Sequence, residues 1–293
     1  MKKFKISELD CFSGIKAHTI RIWEQRYNIF KPERTIGNIR YYSLHEVKLL
    51  LDIALLQQCG HRISTLSRME PAELAGMVEE LSAEESIPGK AINDLIILMF
   101  NFEIEEFEDV LDSCVHVMGI TATVSRVIVP FMERVQLIAT AGSTETHFAV
   151  AALRKKLMVA IESASPENLL QKTVLLFLPE REHFDLILLY AAWAMKVSGL
   201  RLLYLGAGVS RQALEEITVA KKPDLILTCL SPKAKLFVNP IAPFLLQTLP
   251  DTQLFVLGRE KEGLPQPYRN VQYLHYSKVE ELTEEPLALV AAL

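Results

Sequence analysis

The chain has 293 residues, half of them apolar and 23% charged, which is typical of a folded protein with two or three domains and excludes a disordered chain. Its four cysteines are widely scattered, which argues against a disulfide framework or a structural zinc site. The longest uninterrupted apolar stretch, Leu186 to Met195, is too short to cross a bilayer, and the N-terminus has no apolar signal region. We therefore expect a cytoplasmic protein with no membrane partner.

The charge is unevenly divided along the chain. Residues 1–70 carry 12 Lys and Arg against 7 Asp and Glu, a net charge of +5, whereas residues 71–293 carry a net charge of −10. A basic N-terminal region on an acidic body is expected when only one domain meets a polyanion. Chance unevenness is the alternative interpretation.

The N-terminal residues 1–70 have the pattern of a winged helix-turn-helix. Ser7 is the predicted N-cap of a first helix that ends near Gly14, and a second helix follows from Ala17 to Arg26. Two short helices across a glycine turn are typical of a recognition helix for the DNA major groove. The basic, aromatic stretch from Lys31 to Tyr42 then predicts a hairpin wing that contacts phosphates.

This region resembles the MerR family of transcription regulators. The family pattern Thr-Leu-Arg-Tyr-Tyr/Trp-Glu corresponds here to Thr19-Ile20-Arg21-Ile22-Trp23-Glu24, and its wing motifs correspond to Pro32-Glu33-Arg34 and Ile39-Arg40-Tyr41-Tyr42. The resemblance implies a regulator that binds double-stranded DNA as a homodimer or higher oligomer, with RNA polymerase or another protein as a further candidate partner. The residues assigned to DNA binding are Lys16, His18, Thr19, Arg21, Tyr27, Arg34, Arg40 and Tyr42.

The residues that follow divide into three segments. Residues 71–89 are acidic and end in a Pro-Gly break, which predicts a linker with some helix. Residues 90–168 have apolar side chains at spacings of three and four throughout, which predicts a four-helix bundle. Its helices are expected to divide near Phe102, Gly119 and Gly142.

Residues 169–293 show short, nearly continuous apolar runs that alternate with helical segments. This alternation predicts a five-stranded doubly wound parallel sheet and an α/β fold class for the whole chain. The predicted strands are Thr173–Leu178, Leu202–Leu205, Asp224–Cys229, Leu254–Leu257 and Val271–His275, and the predicted helices are Glu182–Val197, Arg211–Lys221, Asn239–Leu249 and a segment after Lys278.

The bundle and sheet together resemble the cobalamin-binding module of methionine synthase, of corrinoid proteins and of light-sensing MerR repressors of the CarH and LitR type. The signature of that module, Asp/Glu-x-His-x-x-Gly after the first strand, corresponds here to residues 181–186. The resemblance implies His183 as the axial ligand of cobalt if cobalamin is bound, and no other metal ligand is expected. It also implies further cofactor contacts at His147, Ser231 and Gly258.

Three substitutions depart from the cobalamin pattern. Arg181 stands where an acid orients the ligand histidine, Leu186 replaces the glycine that clears space for the nucleotide tail, and Arg259 replaces a second small residue. We therefore expect no bound cofactor, with cobalamin as the alternative. In the predicted bundle, the side chains of Arg154, Lys155 and Lys156 are most simply interpreted as a solvated helix face.

The sequence shows no catalytic constellation, so we predict that the chain is not an enzyme. The leading hypothesis is a DNA-binding transcription regulator with a C-terminal sensing and oligomerising module. A functioning cobalamin-dependent light or cofactor sensor is one alternative. A corrinoid carrier or enzyme accessory protein, which belongs to a different class, is another.

Overall fold

The computed structural model describes residues 2–35, 37–81, 86–138, 143–166, 169–180, 182, 185–229, 238–258 and 268–275. The chain forms two compact units, Met1–Ala152 and Leu153–Leu293. The winged helix-turn-helix, the helical bundle and the parallel sheet of the predicted α/β fold are confirmed. The domain boundaries predicted at residues 70, 90 and 169 stay predictions.

The first unit is mainly helical and carries a small antiparallel sheet in the order β1-β3-β2. Its strands are β1 (Phe4–Lys5), β2 (Glu33–Arg34) and β3 (Arg40–Tyr42). Its helices are α1 (Ile6–Ser13), α2 (Ala17–Tyr27), α3 (Leu44–Gln58), α4 (Ile63–Leu66), α5 (Pro71–Glu79), α6 (Ile87–Asn101), α7 (Ile104–Thr123) and α8 (Val129–Ile138), and α9 (Thr144–Ser163) begins in it. Helix α5 therefore lies inside the segment predicted as a linker.

Helix α1 begins earlier than predicted. Its N-cap is Lys5, whose backbone amide donates to the Glu8 carboxylate at 2.6 Å, so the cap predicted at Ser7 is wrong. Pairing of β1 with β3 holds the chain extended up to Lys5 and so decides where the helix starts. Asp10, the predicted partner of Ser7, instead accepts from the amide of Ala17 at 2.9 Å and starts α2.

The N-terminal helices and the first bundle helix share one apolar core. The ring of Phe100 on α6 lies 4.9 Å from that of Phe4 and 5.4 Å from that of Phe12, both in edge-to-face geometry. Asn93 of α6 also donates through Nδ2 to the carbonyl of Leu51 on α3 at 3.1 Å. Because these contacts join residues far apart in sequence, the helix-turn-helix packs as part of the larger unit.

The bundle divides close to the predicted positions. Phe102 ends α6 in the left-handed conformation, with φ of 60°, and Gly119 interrupts α7 with φ of 79° and ψ of 163°. Gly142 lies outside the described residues. A π-helical turn, Val124–Ile128, leads from α7 into α8.

The stretch Ile104–Arg134 is long and apolar enough, by length and composition, to cross a membrane. Core helices of soluble proteins meet the same criterion. Here Gly119 breaks the helix, and the rings of Phe107 and Phe131 pack against each other at 5.7 Å, both fully buried. Packing within the unit therefore accounts for these two rings, while only 39% of the most apolar part of the stretch is buried.

The second unit contains a five-stranded parallel sheet in the order β5-β4-β6-β7-β8. All five predicted strands are confirmed, as β4 (Thr173–Pro179), β5 (Arg201–Val209), β6 (Leu225–Cys229), β7 (Gln253–Gly258) and β8 (Val271–His275), with helices α10 (Leu186–Val197), α11 (Arg211–Lys221) and α12 (Val238–Thr248). The helix predicted after Lys278 lies outside the described residues. In parallel sheets of this order, ligands bind beyond the carboxyl ends of the strands at the point where the strand order reverses, here between β4 and β6.

Candidate functional sites

Helix α2 has a buried face and a basic exposed face. Ile20 and Trp23 are buried against the rest of the first unit, whereas the predicted DNA-binding residues Lys16, His18 and Arg21 are exposed. Thr19 and Tyr27 are half-buried. The alternation follows the helical period, so the exposed face can enter a groove while the apolar face holds the helix in place.

Strands β2 and β3 form the predicted hairpin wing, in which Arg34 lies opposite Arg40. The turn between them is closed by the amide of Thr35, which donates to the carbonyl of Ile39 at 3.1 Å. Asn38 takes the left-handed conformation that such a turn needs, with φ of 58°. The wing therefore carries both of its predicted phosphate-binding arginines on one short ribbon.

Glu24 joins the recognition helix to the wing. Its carboxylate accepts from Nη2 of Arg34 at 2.9 Å and from Nε of Arg40 at 2.9 and 3.2 Å. The Glu24 side chain is only 9% exposed, so these are partly desolvated ion pairs. The arginines thus meet the helix through one shared acid, which the prediction of DNA-binding residues did not include.

Tyr42 is wholly buried, unlike the other predicted DNA-binding residues. Its hydroxyl donates to Glu24 Oε2 at 3.3 Å, and its ring packs edge-to-face against Phe30 at 6.3 Å. Burial, followed by the negative charge of Glu24, raises the pKa of the hydroxyl well above its usual value. This placement supports a packing role, and a DNA contact by Tyr42 stays a prediction that the geometry does not favour.

A groove of about 450 Å³ lies between α3 and α5. Its lining includes His45, Lys48, Asp52 and Glu70. Asp52 is buried, and this burial raises the pKa of its carboxyl to about 6, although the nearby Lys48 opposes the shift. The groove was not predicted from the sequence, because its two helices meet only after folding.

The second unit contains a partly buried ion pair where α10 follows β4. Arg154 donates from Nη2 to Asp185 at 2.7 Å and from Nε to both carboxylate oxygens at 3.1 Å. The hydrogen bond to Asp185 raises the pKa of Arg154. Arg154 is therefore half-exposed and ion-paired rather than fully solvated, and Lys155 and Lys156 also have interaction partners.

The predicted cofactor residues are only partly described. His183 and Ser231 lie outside the described residues, as do Arg181 and Arg259. Gly258 ends β7, opposite His275 of β8, and His147 is an exposed residue of α9. Within the described part of the chain, no group of three or more His, Cys, Asp or Glu residues could hold a metal ion.

Comparison with known proteins agrees with this architecture. Residues 4–73 match the family described as MerR HTH family regulatory protein. The structure of the monomethylamine corrinoid protein of Methanosarcina barkeri aligns with a TM-score of 0.55 and 12% identity, over 71% of this chain and 100% of that one. The chain thus carries a MerR helix-turn-helix domain at its N-terminus, and the bundle and sheet that follow share the fold of that corrinoid protein.

Two named repressors are homologous to this chain over most of its length. The HTH-type transcriptional repressor CarH of Myxococcus xanthus is 25% identical over 234 residues, which cover 77% of this chain and 78% of CarH. The HTH-type transcriptional repressor CarA of the same organism is 26% identical over 225 residues, which cover 76% of this chain and 74% of CarA. The chain is thus related to the CarH and CarA repressors.

Proposed function

We propose that this regulator acts in the cytoplasm by binding duplex DNA as a dimer or higher oligomer, with α2 in the major groove and the wing on the flanking backbone. The observation that carries the proposal is the joining of Arg34 and Arg40 to α2 through Glu24. It holds helix and wing as one basic surface. One N-terminal DNA-binding domain of this size covers one half-site of an operator, so self-association supplies a second domain for the other half-site.

The chemistry of the exposed residues divides the work between helix and wing. Arg21 and His18 lie on the exposed face of α2, where their donors can reach base edges in the major groove. Arg34 and Arg40 suit phosphate binding, because a guanidinium matches phosphate oxygens in a planar, two-point contact. We therefore assign specificity to α2 and general affinity to the wing.

Substitution of Arg40 tests this assignment. Each phosphate contact contributes about 0.9 to the slope of log affinity against log salt, so Arg40→Ala should weaken binding to every duplex and flatten that slope by about one. His18→Ala should instead change sequence preference. Fluorescence anisotropy on labelled duplexes measures both effects.

Arg201→Ala is the matched control, because it removes the same charge from the sheet of the second unit. It should leave the affinity and the salt slope unchanged. DNA binding that survives both Arg21→Ala and Arg40→Ala would refute the assignment.

We further propose that the C-terminal module does not bind cobalamin tightly and serves in oligomerisation or in sensing another partner. Leu186, at the position of the tail-clearing glycine, is 1% exposed and belongs to the core. The adjacent Asp185 is already paired with Arg154. These described residues do not fit a cofactor tail, and no catalytic role is assigned to the module.

A cobalamin-dependent regulator is the second candidate function. The fold is shared with a protein named as a corrinoid protein, and His183 stands in sequence where the axial ligand would be. We place this candidate second because side chains that fill a ligand's volume exclude it sterically.

A further inference from the structure

The ion pairs of Glu24 use particular edges of the two guanidinium groups. Glu24 meets Arg40 only through Nε, so the pair of terminal nitrogens of Arg40 is not used by Glu24. It meets Arg34 through Nη2, while Nη1 of Arg34 donates to Asn38 Oδ1 at 3.1 Å. Since a guanidinium has five N–H donors, each arginine keeps donors for a second acceptor.

We propose that Glu24 is a positioning residue for DNA binding. It orients the side chains of Arg40 and Arg34, so that both are already ordered when the wing meets the phosphates. This inference rests on the proposed DNA-binding function. A free arginine loses rotamer freedom when it binds, and that loss reduces affinity. Glu24 removes much of the loss beforehand, because its side chain is nearly buried and itself fixed on α2.

Simple electrostatics predicts the opposite effect of Glu24. A carboxylate on a DNA-binding surface repels phosphates, so its removal should strengthen binding if charge alone mattered. Removal of a positioning residue should weaken binding even though the surface becomes more positive. The sign of the affinity change therefore distinguishes the two effects.

The test compares Glu24→Ala with Glu33→Ala in the full-length protein. Glu33 lies on the same wing, 71% exposed and paired with Lys3, so its removal changes the charge equally without releasing Arg34 or Arg40. On a fluorescein-labelled mixed-sequence duplex we expect Glu24→Ala to bind about tenfold more weakly, the range for ordering two long side chains. Glu33→Ala should bind as well as the wild type or better.

Glu24→Gln adds a conservative replacement, since its amide oxygen still accepts one hydrogen bond from an arginine. It should recover part of the affinity that Glu24→Ala loses. Affinity of Glu24→Ala equal to or above that of the wild type would overturn the proposal.

A double-mutant cycle separates positioning from simple loss of the fold. In an Arg34→Ala/Arg40→Ala background, Glu24→Ala should cause no further loss of affinity, because the groups that it positions are gone. A loss that persists in that background, together with a lower melting temperature, would overturn the proposal and make Glu24 a structural residue. A wild-type protein that binds no duplex at low salt would instead refute the DNA-binding function itself.

Discussion

Asp52 is a buried acid on α3, where that helix contacts α5 and α6. Burial is the main cause that raises its pKa to about 6; Lys48 lowers it, while Asp94 and Glu79 raise it further. Burial likewise raises the pKa of Asp94. At neutral pH the fold therefore holds a carboxylate that would be more stable in water.

Asp52→Asn should stabilise the protein at neutral pH. The pKa of Asp52 is about 6 in the folded state against an ordinary value of 3.8. The stability that the protonated carboxyl contributes to the folded state is therefore fully present below pH 3.8 and is lost as the pH rises through 6. We expect Asp52→Asn to raise the free energy of unfolding at pH 7 by about 1–2 kcal/mol, and this gain should shrink towards about pH 4.

Urea unfolding at both pH values measures this difference. Asp109→Asn, at an exposed position of α7, is the matched control and should show little change at either pH. An Asp52→Asn variant that is less stable than the wild type at pH 7 would contradict the prediction.

Among the elements, the interruption of α7 depends on one glycine. Gly119 has φ of 79° and ψ of 163°, a conformation that is essentially restricted to glycine, and a Cβ added there would meet no atom within 4 Å. The cost of Gly119→Ala is therefore backbone strain alone, and we expect a loss of about 1–3 kcal/mol in the free energy of unfolding.

Gly76→Ala is the control for this prediction. Gly76 lies inside α5 and its added Cβ would also meet nothing within 4 Å. Alanine is the better helix former by about 1 kcal/mol, so Gly76→Ala should stabilise the protein. If urea unfolding gave the same change in the free energy of unfolding for both substitutions, alanine would not be strained at position 119 and the prediction would be contradicted.

Helix ends show when local sequence is sufficient to locate an element. Helix α11 has the predicted bounds, because Ser210 caps it by accepting from the amide of Ala213 at 3.1 Å and Lys222 ends it in the left-handed conformation. The start of α1 was predicted wrongly, because β1 pairs with a strand more than thirty residues away. Local capping locates a helix end only where no long-range pairing competes with it.

For the whole molecule, the main prediction concerns cobalamin and self-association. Purified full-length protein titrated with methylcobalamin and adenosylcobalamin in the dark should show no tight binding in its visible spectrum. Light scattering should show a dimer or larger species that the titration leaves unchanged. The physical reason is steric, since each misfit in a packed site costs roughly 1–3 kcal/mol and each 1.4 kcal/mol is about tenfold in affinity.

The steric cause of weak cobalamin binding is tested by restoring the residues of the cobalamin-binding pattern. Combined Arg181→Asp, Leu186→Gly and Arg259→Gly should recover binding, and adding His183→Ala to that variant should abolish it again. Binding by the wild type at micromolar or lower concentration, lost in His183→Ala, would make the cobalamin sensor the leading function.

The sequence by itself determined the strands of the parallel sheet, the main helices and the family that the N-terminal region resembles. The central strands were predictable because a parallel sheet buries both of its faces there, so such a strand is a continuous apolar run, as in Val174–Leu178. The exposed face of α2 followed from the helical period in the same way. These features depend on residues close together in the chain.

Only the tertiary structure decided the partners of the charged side chains. Glu24 lies 16 residues from Arg40 and 18 from Tyr42, and Arg154 lies 31 residues from Asp185. A sequence shows that these groups are charged or polar, but their pairing depends on how distant segments pack. Partial burial then removes some of the water from the pairs, which strengthens the contacts of Glu24 with the wing and of Arg154 with Asp185.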